Sequence, residues 1–187
     1  MKKYILSIIL LVSVSAISAQ SFDGVPISGD LPTAIAKYKA KGYVLSKYIE
    51  QGAIIKGRVA GRDVELFVFV TPKTKKVCKV VAFFDEETSW YSLKSTYNTF
   101  YDILTEKYGY PDDRYSKFLD PYYEGDGYEM SAVGLDKSLF AAYWYKKDNL
   151  TVAVEISKYK QVKLVYENNI MMDIKSKEQS EIESKVF

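Results

Sequence analysis

The spacing of apolar residues changes along the chain between a helical period and a strand period. A helix is predicted between Asp30 and Gly42, because apolar residues at intervals of three and four follow an acidic cap and a proline. A longer helix is predicted from a cap at Thr88 or Ser89 to Gly109. Its apolar residues keep the helical spacing: Trp90, Leu93, Tyr97, Phe100 and Leu104.

Six shorter runs alternate apolar and polar residues, and turn-forming residues separate them. Three runs follow each predicted helix, so each helix is expected to precede an antiparallel meander. In the clearest run three valines and a leucine share one face, and the other face carries Glu65, Phe67 and Phe69. The predicted strands are 53–60, 64–71, 76–84, 138–146, 150–157 and 161–167.

The two halves of the chain repeat each other. The first helix ends in Lys41-Gly42-Tyr43 and the second in Tyr108-Gly109-Tyr110, and the meanders match in alternation. The fold class predicted from this pattern is α+β, a tandem αβββ repeat with an antiparallel sheet. The first lobe is expected at 20–87 and the second at 88–170. A polar, tyrosine-rich insertion at 112–136 and a polar C-terminal tail at 171–187, as a short helix or frayed chain, complete the layout.

The beginning of the chain has the pattern of an export signal. Lys2 and Lys3 precede an apolar run at 4–14, which is shorter than the roughly 20 residues of a membrane-spanning helix. Cleavage is predicted after Ala19, so residues 1–19 are expected to be a signal peptide and the protein to be periplasmic or secreted. The one cysteine, Cys78, is far from the cleavage point. We therefore expect neither a lipid anchor nor an integral membrane anchor.

Charge and composition narrow the functional classes. Lys2 and Lys3 account for the formal net charge of +2, so the chain after the signal has equal numbers of basic and acidic residues. Binding to nucleic acid, which needs an excess of positive charge, is therefore not supported by the composition. The sequence has no histidine, the usual general base and metal ligand. One cysteine cannot complete a zinc shell. We expect no cofactor, no catalytic residues and no enzyme activity, although carboxylate chemistry, lysine chemistry and calcium binding remain compatible with the composition.

Three segments resemble small uncharacterised secreted bacterial proteins: 22–29, 104–111 and 165–169. The order of signal, helix, meander, helix and meander is similar to the tandem fold of the β-lactamase-inhibitor-protein group. This resemblance implies helices packed on one face of the sheet and an opposite face that is open to a partner. The inhibitor has disulfide-forming cysteines that this chain lacks, so the resemblance does not carry over inhibition of a β-lactamase.

Two groups of aromatic residues are candidates for binding a protein or a peptide. Tyrosine offers a large contact area with a polar tip, and an exposed aromatic face of a sheet marks a binding surface. The alternative is that helices or the other lobe cover the face and that the insertion has no ligand. We expect a non-catalytic interaction module that acts through the sheet face or the insertion. The candidate residues are Phe67, Phe69, Tyr143 and Tyr145 on the strands, and Tyr122, Tyr123 and Tyr128 in the insertion.

A cell-envelope protein that binds calcium or a small ligand is the alternative function. Its metal ligands would be the carboxylates of Asp120, Glu124, Asp126 and Glu129 in the insertion, since calcium prefers oxygen ligands. Their spacing differs from the EF-hand pattern, which needs a glutamate six residues after a glycine.

Overall fold

The computed structural model describes residues 20–146 and 148–184. The predicted signal peptide at 1–19 lies outside these residues. In chain order the elements are β1 (Ser21–Phe22), β2 (Val25–Pro26), α1 (Leu31–Ala40), β3 (Val44–Ile49), β4 (Gly52–Val59), β5 (Arg62–Val70), β6 (Val77–Phe84), α2 (Trp90–Tyr108), β7 (Asp113–Phe118), α3 (Glu129–Gly134), β8 (Ser138–Lys146), β9 (Leu150–Ile156), β10 (Val162–Asn168) and α4 (Asn169–Glu183).

Strands β3 to β10 form one antiparallel sheet in the order β3-β4-β5-β6-β10-β9-β8-β7. In each half the four strands follow chain order from an edge of the sheet to its centre. The last strands of the two halves, β6 and β10, pair there. The predicted α+β class with a repeated helix and meander is confirmed. Each meander has one more strand than predicted. The extra strands, β3 and β7, are the sheet edges, and their mostly exposed residues lack the apolar and polar alternation of a half-buried strand.

Helices α1 and α2 begin and end where the sequence predicts and pack on one face of the sheet. Asp30 caps α1 by accepting a hydrogen bond from the Thr33 amide at 3.0 Å, and Ser89 caps α2 by accepting one from the Ser92 amide at 3.1 Å. The buried residues of both helices join the strand residues of this face in one hydrophobic core. Trp144 lies in that core, and its indole Nε1 donates to the Gly109 carbonyl at 2.8 Å.

The repeated Gly-Tyr pair at the two helix ends has different surroundings in the two halves. Tyr43 is buried against β4, and its hydroxyl donates to Asp23 at 3.0 Å. The ring of Tyr38 meets it edge-on, with centroids 5.3 Å apart. Tyr110, in contrast, is 86% exposed. The repeat therefore preserves the turn and not the packing of the tyrosine.

The 112–136 insertion contains regular structure that was not predicted from the sequence. Its first part is the edge strand β7, and its last part is α3, whose Val133 joins the core. The C-terminal segment forms α4 and packs against β6 and β10. There the Glu178 carboxylate accepts hydrogen bonds from the Lys73 amide at 2.6 Å and the Thr74 hydroxyl at 2.6 Å. Within the described part of the chain, no helix is long and apolar enough to cross a membrane.

Candidate functional site

The face of the sheet opposite α1 and α2, which we call the open face, is formed by alternate residues of the strands. On β5, Leu66 and Val68 point into the core, so Phe67 and Phe69 lie on the open face. On β8, Trp144 points into the core, so Tyr143 and Tyr145 lie on the open face. The four strand aromatics that the sequence singled out therefore share one surface.

A phenylalanine cluster occupies the open face on the side of the first half. The rings of Phe67 and Phe83 meet edge-on, with centroids 5.3 Å apart, and those of Phe67 and Phe69 stack at 6.2 Å. All three side chains are partly buried. Helix α4 reaches the end of this cluster, where Lys175 Nζ lies 5.8 Å from the centre of the Phe69 ring.

A tyrosine cluster occupies the open face on the side of the second half. The rings of Tyr143 and Tyr145 are almost parallel, at 10°, with centroids 6.4 Å apart. The ring of Tyr115 stands nearly perpendicular to Tyr143, at 77° and 6.4 Å. Tyr145 is 51% exposed and Tyr115 is 41% exposed. The Tyr145 hydroxyl donates to the Asp113 carboxylate at 3.2 Å.

A shallow depression of about 290 Å³ lies between the two clusters. Its floor is a small apolar group of buried strand residues, Val81, Ala153 and Val165. Rings of both clusters flank this group: Phe67, Phe69, Phe83 and Tyr143. The apolar surface is therefore continuous from one cluster to the other.

Ion pairs between neighbouring strands border the depression. Lys79 Nζ lies 2.6 Å from Glu167 and Lys163 Nζ lies 2.9 Å from Glu155, and all four side chains are partly buried. Each such pair contributes on the order of 0.2–1 kcal/mol to stability. Because each charge has its partner within the sheet, the border of the depression is close to neutral.

The surroundings of the tyrosine cluster raise the pKa values of its hydroxyls. Burial, followed by the nearby Glu155 carboxylate, raises the pKa of Tyr143 to about 12. Desolvation and the hydrogen bond to Asp113 raise the pKa of Tyr145. Both hydroxyls stay protonated at neutral pH and are hydrogen-bond donors.

The tyrosines predicted in the insertion lie apart from the open face. Glu124 of this loop forms an ion pair with Lys94 of α2, the helix that covers the other face. Tyr123 and Tyr128 are exposed, and Tyr122 is partly buried. The structure therefore separates the two groups of candidate residues and does not join them in one site.

Two of the four candidate calcium ligands, Asp126 and Glu129, are engaged in hydrogen bonds within the loop. Asp126 accepts from the amides of Tyr123 at 3.0 Å and Tyr128 at 2.7 Å, and Glu129 accepts from the Gly125 amide at 2.8 Å. Among residues 20–146 and 148–184, no three acidic or cysteine side chains converge on a point where a metal ion would bind. Asp126 and Glu129 therefore order the loop, Glu124 pairs with Lys94, and calcium binding by these residues and Asp120 stays a prediction.

Three residues of the open face were missing from the predicted site: Phe83, Tyr115 and Asp113. Phe83 alternates with the core residues Ala82 and Phe84, so the period of two already indicated its face. Tyr115 and Asp113 belong to β7, whose residues alternate too little to predict a strand. Their placement follows from the pairing of β7 with β8.

The open face offers aromatic and aliphatic contact area, phenolic donors and paired charges in one surface. Such a combination is suited to binding another molecule by contact. No protein family, no curated protein and no solved structure matches this chain.

Proposed function

We propose that the protein is an exported, non-catalytic interaction module that binds another protein through the open face. The observation that carries the proposal is the pair of aromatic clusters on the side of the sheet away from α1 and α2. The predicted signal peptide supports a location in the periplasm or outside the cell. The resemblance to the β-lactamase-inhibitor-protein group also implies that the sheet face away from the helices is open to a partner.

The shape of the open face favours a protein over a small molecule. A small ligand is usually held in a concave pocket that buries most of its surface, whereas the depression between the clusters has only about 290 Å³ and opens to solvent. A protein partner can cover both clusters together. Aromatic residues carry much of the binding energy in such contacts, and losing one typically costs about 2 kcal/mol or more.

Site-specific photocrosslinking in the organism that produces the protein tests the proposal. A photoreactive phenylalanine analogue would replace Tyr115 or Tyr145 on the open face, and Tyr91 or Tyr159 as matched controls. The control tyrosines are also exposed, but they lie on α2 and on the turn between β9 and β10.

We expect the two open-face positions to give the same discrete crosslinked protein and the control positions to give none. Mass spectrometry of the crosslinked product identifies the partner. Discrete products from Tyr91 or Tyr159 alone, or no product from Tyr115 and Tyr145, would contradict the proposal.

A further inference from the structure

The rings of Tyr143, Tyr145 and Tyr115 form an aromatic corner on the open face, which we call the tyrosine cleft. The nearly parallel rings of Tyr143 and Tyr145 have centroids 6.4 Å apart. Because 6.4 Å is less than the roughly 7 Å that a flat group between two rings needs, a flat group would stack on the ring of Tyr145, which is half exposed, and not between the two rings. The perpendicular ring of Tyr115 closes the side of the cleft towards β7.

Carboxylates lie around the cleft. Asp113 is the cross-strand neighbour of Tyr143, and its Oδ2 accepts the hydrogen bond from the Tyr145 hydroxyl. Asp112 accepts a hydrogen bond from the Tyr145 amide at 2.7 Å. The negative faces of the three rings add to these charges. The cleft is therefore complementary to a cation.

We propose that this tyrosine cleft binds the guanidinium group of an arginine side chain presented by the partner. The inference rests on the proposed function, since it names the chemistry that the partner brings to the open face. A guanidinium is planar and stacks on aromatic rings, and its N–H groups donate in pairs to a carboxylate such as that of Asp113. A lysine ammonium carries the same charge, but it is not planar and cannot stack on the rings in this way.

The protein already forms this kind of contact on the opposite face of the sheet. The guanidinium carbon of Arg114 lies 4.3 Å from the centre of the Tyr101 ring, and its Nη1 donates to the Tyr101 hydroxyl at 3.3 Å. Arg114 and Asp113 are neighbours on β7, so their side chains point to opposite faces. The Arg114 guanidinium therefore leaves the cleft free for a cation from outside.

A titration monitored by NMR tests the cleft without the partner. The probe is N-acetyl-arginine amide, added to the isotopically labelled protein. N-acetyl-citrulline amide is the matched neutral control, because it has nearly the same shape and no charge. We expect saturable shifts at the amides of Asp113, Tyr143 and Tyr145 with the arginine probe, and at least tenfold weaker binding of the citrulline probe, or about 1.4 kcal/mol by RT ln 10.

Variants assign the shifts to the cleft. Asp113→Asn and Tyr145→Leu should each weaken binding of the arginine probe about fivefold, whereas Tyr159→Leu should leave it unchanged. Both cleft residues are exposed, and an unchanged pattern of amide signals elsewhere shows that each variant is folded.

Equal binding of both probes, absence of shifts at the cleft, or full binding by Asp113→Asn and Tyr145→Leu would overturn the inference. These outcomes are separate from the crosslinking result. An arginine probe that binds while no crosslinked protein forms would remove the proposed function alone, and a crosslinked partner with a cleft that ignores the arginine probe would remove the inference alone.

Discussion

Gly57 of β4 leaves no space for a side chain, and replacing it tests how the first half packs. A Cβ at this position would lie 2.2 Å from Cδ1 of Tyr43. That distance is far inside van der Waals contact, so Gly57→Ala must displace the tyrosine ring. The ring is anchored by its hydrogen bond to Asp23 and by its edge-on contact with Tyr38.

The cost of the displacement follows from these contacts. Overpacking a buried site costs about 1–3 kcal/mol, and losing the hydrogen bond to Asp23 adds about 1 kcal/mol. The lower entropy of the unfolded alanine variant offsets about 0.5 kcal/mol. We therefore expect Gly57→Ala to lower the free energy of unfolding by about 1.5–3.5 kcal/mol.

Urea unfolding followed by circular dichroism measures the effect. Gly134→Ala is the matched control, because a Cβ there has its nearest neighbour at 3.8 Å, on a flexible lysine, and its cost should be near zero. In a Tyr43→Ala background, Gly57→Ala should also cost little, since the ring is gone. A Gly57→Ala variant as stable as the original protein would contradict the predicted clash with Tyr43. So would an equal loss of stability from Gly57→Ala with and without the Tyr43 ring.

Three further predictions concern α4, the buried cysteine and the core tryptophan. Although burial acts to raise the pKa of Glu178, hydrogen bonds from Thr74 and Lys73 hold it below the ordinary 4.5. Its stabilisation of α4 should therefore be complete above pH 4.5 and lost as the pH falls through the lowered value. The protection factors of the α4 amides, which correct for the intrinsic pH dependence of hydrogen exchange, should fall over that acid range, and Glu178→Gln should show the lowered protection already at neutral pH; equal protection factors in both proteins would contradict this. Burial raises the pKa of Cys78 to about 11, so its thiol should react with Ellman's reagent at pH 8 only as fast as the protein opens, and rapid reaction of the folded protein would contradict its burial. Trp144→Phe removes the donor to the Gly109 carbonyl and should lower the free energy of unfolding by about 1–2 kcal/mol, which an unchanged urea midpoint would disprove.

Apart from the short helix α3 and the two-residue strands β1 and β2, the elements that bury one face in the core were predicted from the sequence. Helices α1 and α2 and the six inner strands have apolar residues at a clear period, because each must fill the core with one face. The edge strands β3 and β7 pair on one side only and carry exposed polar residues. Their strand structure comes from pairing with β4 and β8, which no local pattern reveals.

Which face of the sheet is open could not be predicted from alternation alone. On β5 both sets of residues are largely apolar, with Leu66 and Val68 on one side and Phe67 and Phe69 on the other. The helices decide the outcome, since α1 and α2 cover the aliphatic side. The tyrosine cleft needed still more information, because Asp113 and Tyr143 are distant in sequence and meet only through the pairing of β7 with β8.

Hydroxyl-radical footprinting shows whether the open face is exposed in the protein alone and is covered when a partner binds. The rates of oxidation of Tyr115 and Tyr145 would be compared with those of Tyr91 and Tyr159, first in the purified protein and then after addition of envelope and secreted proteins from the producing organism. All four tyrosines should be oxidised readily in the purified protein, and only Tyr115 and Tyr145 should become protected in the mixture. Slow oxidation of Tyr115 and Tyr145 in the purified protein, or protection of Tyr91 and Tyr159 in their place, would contradict the proposed function.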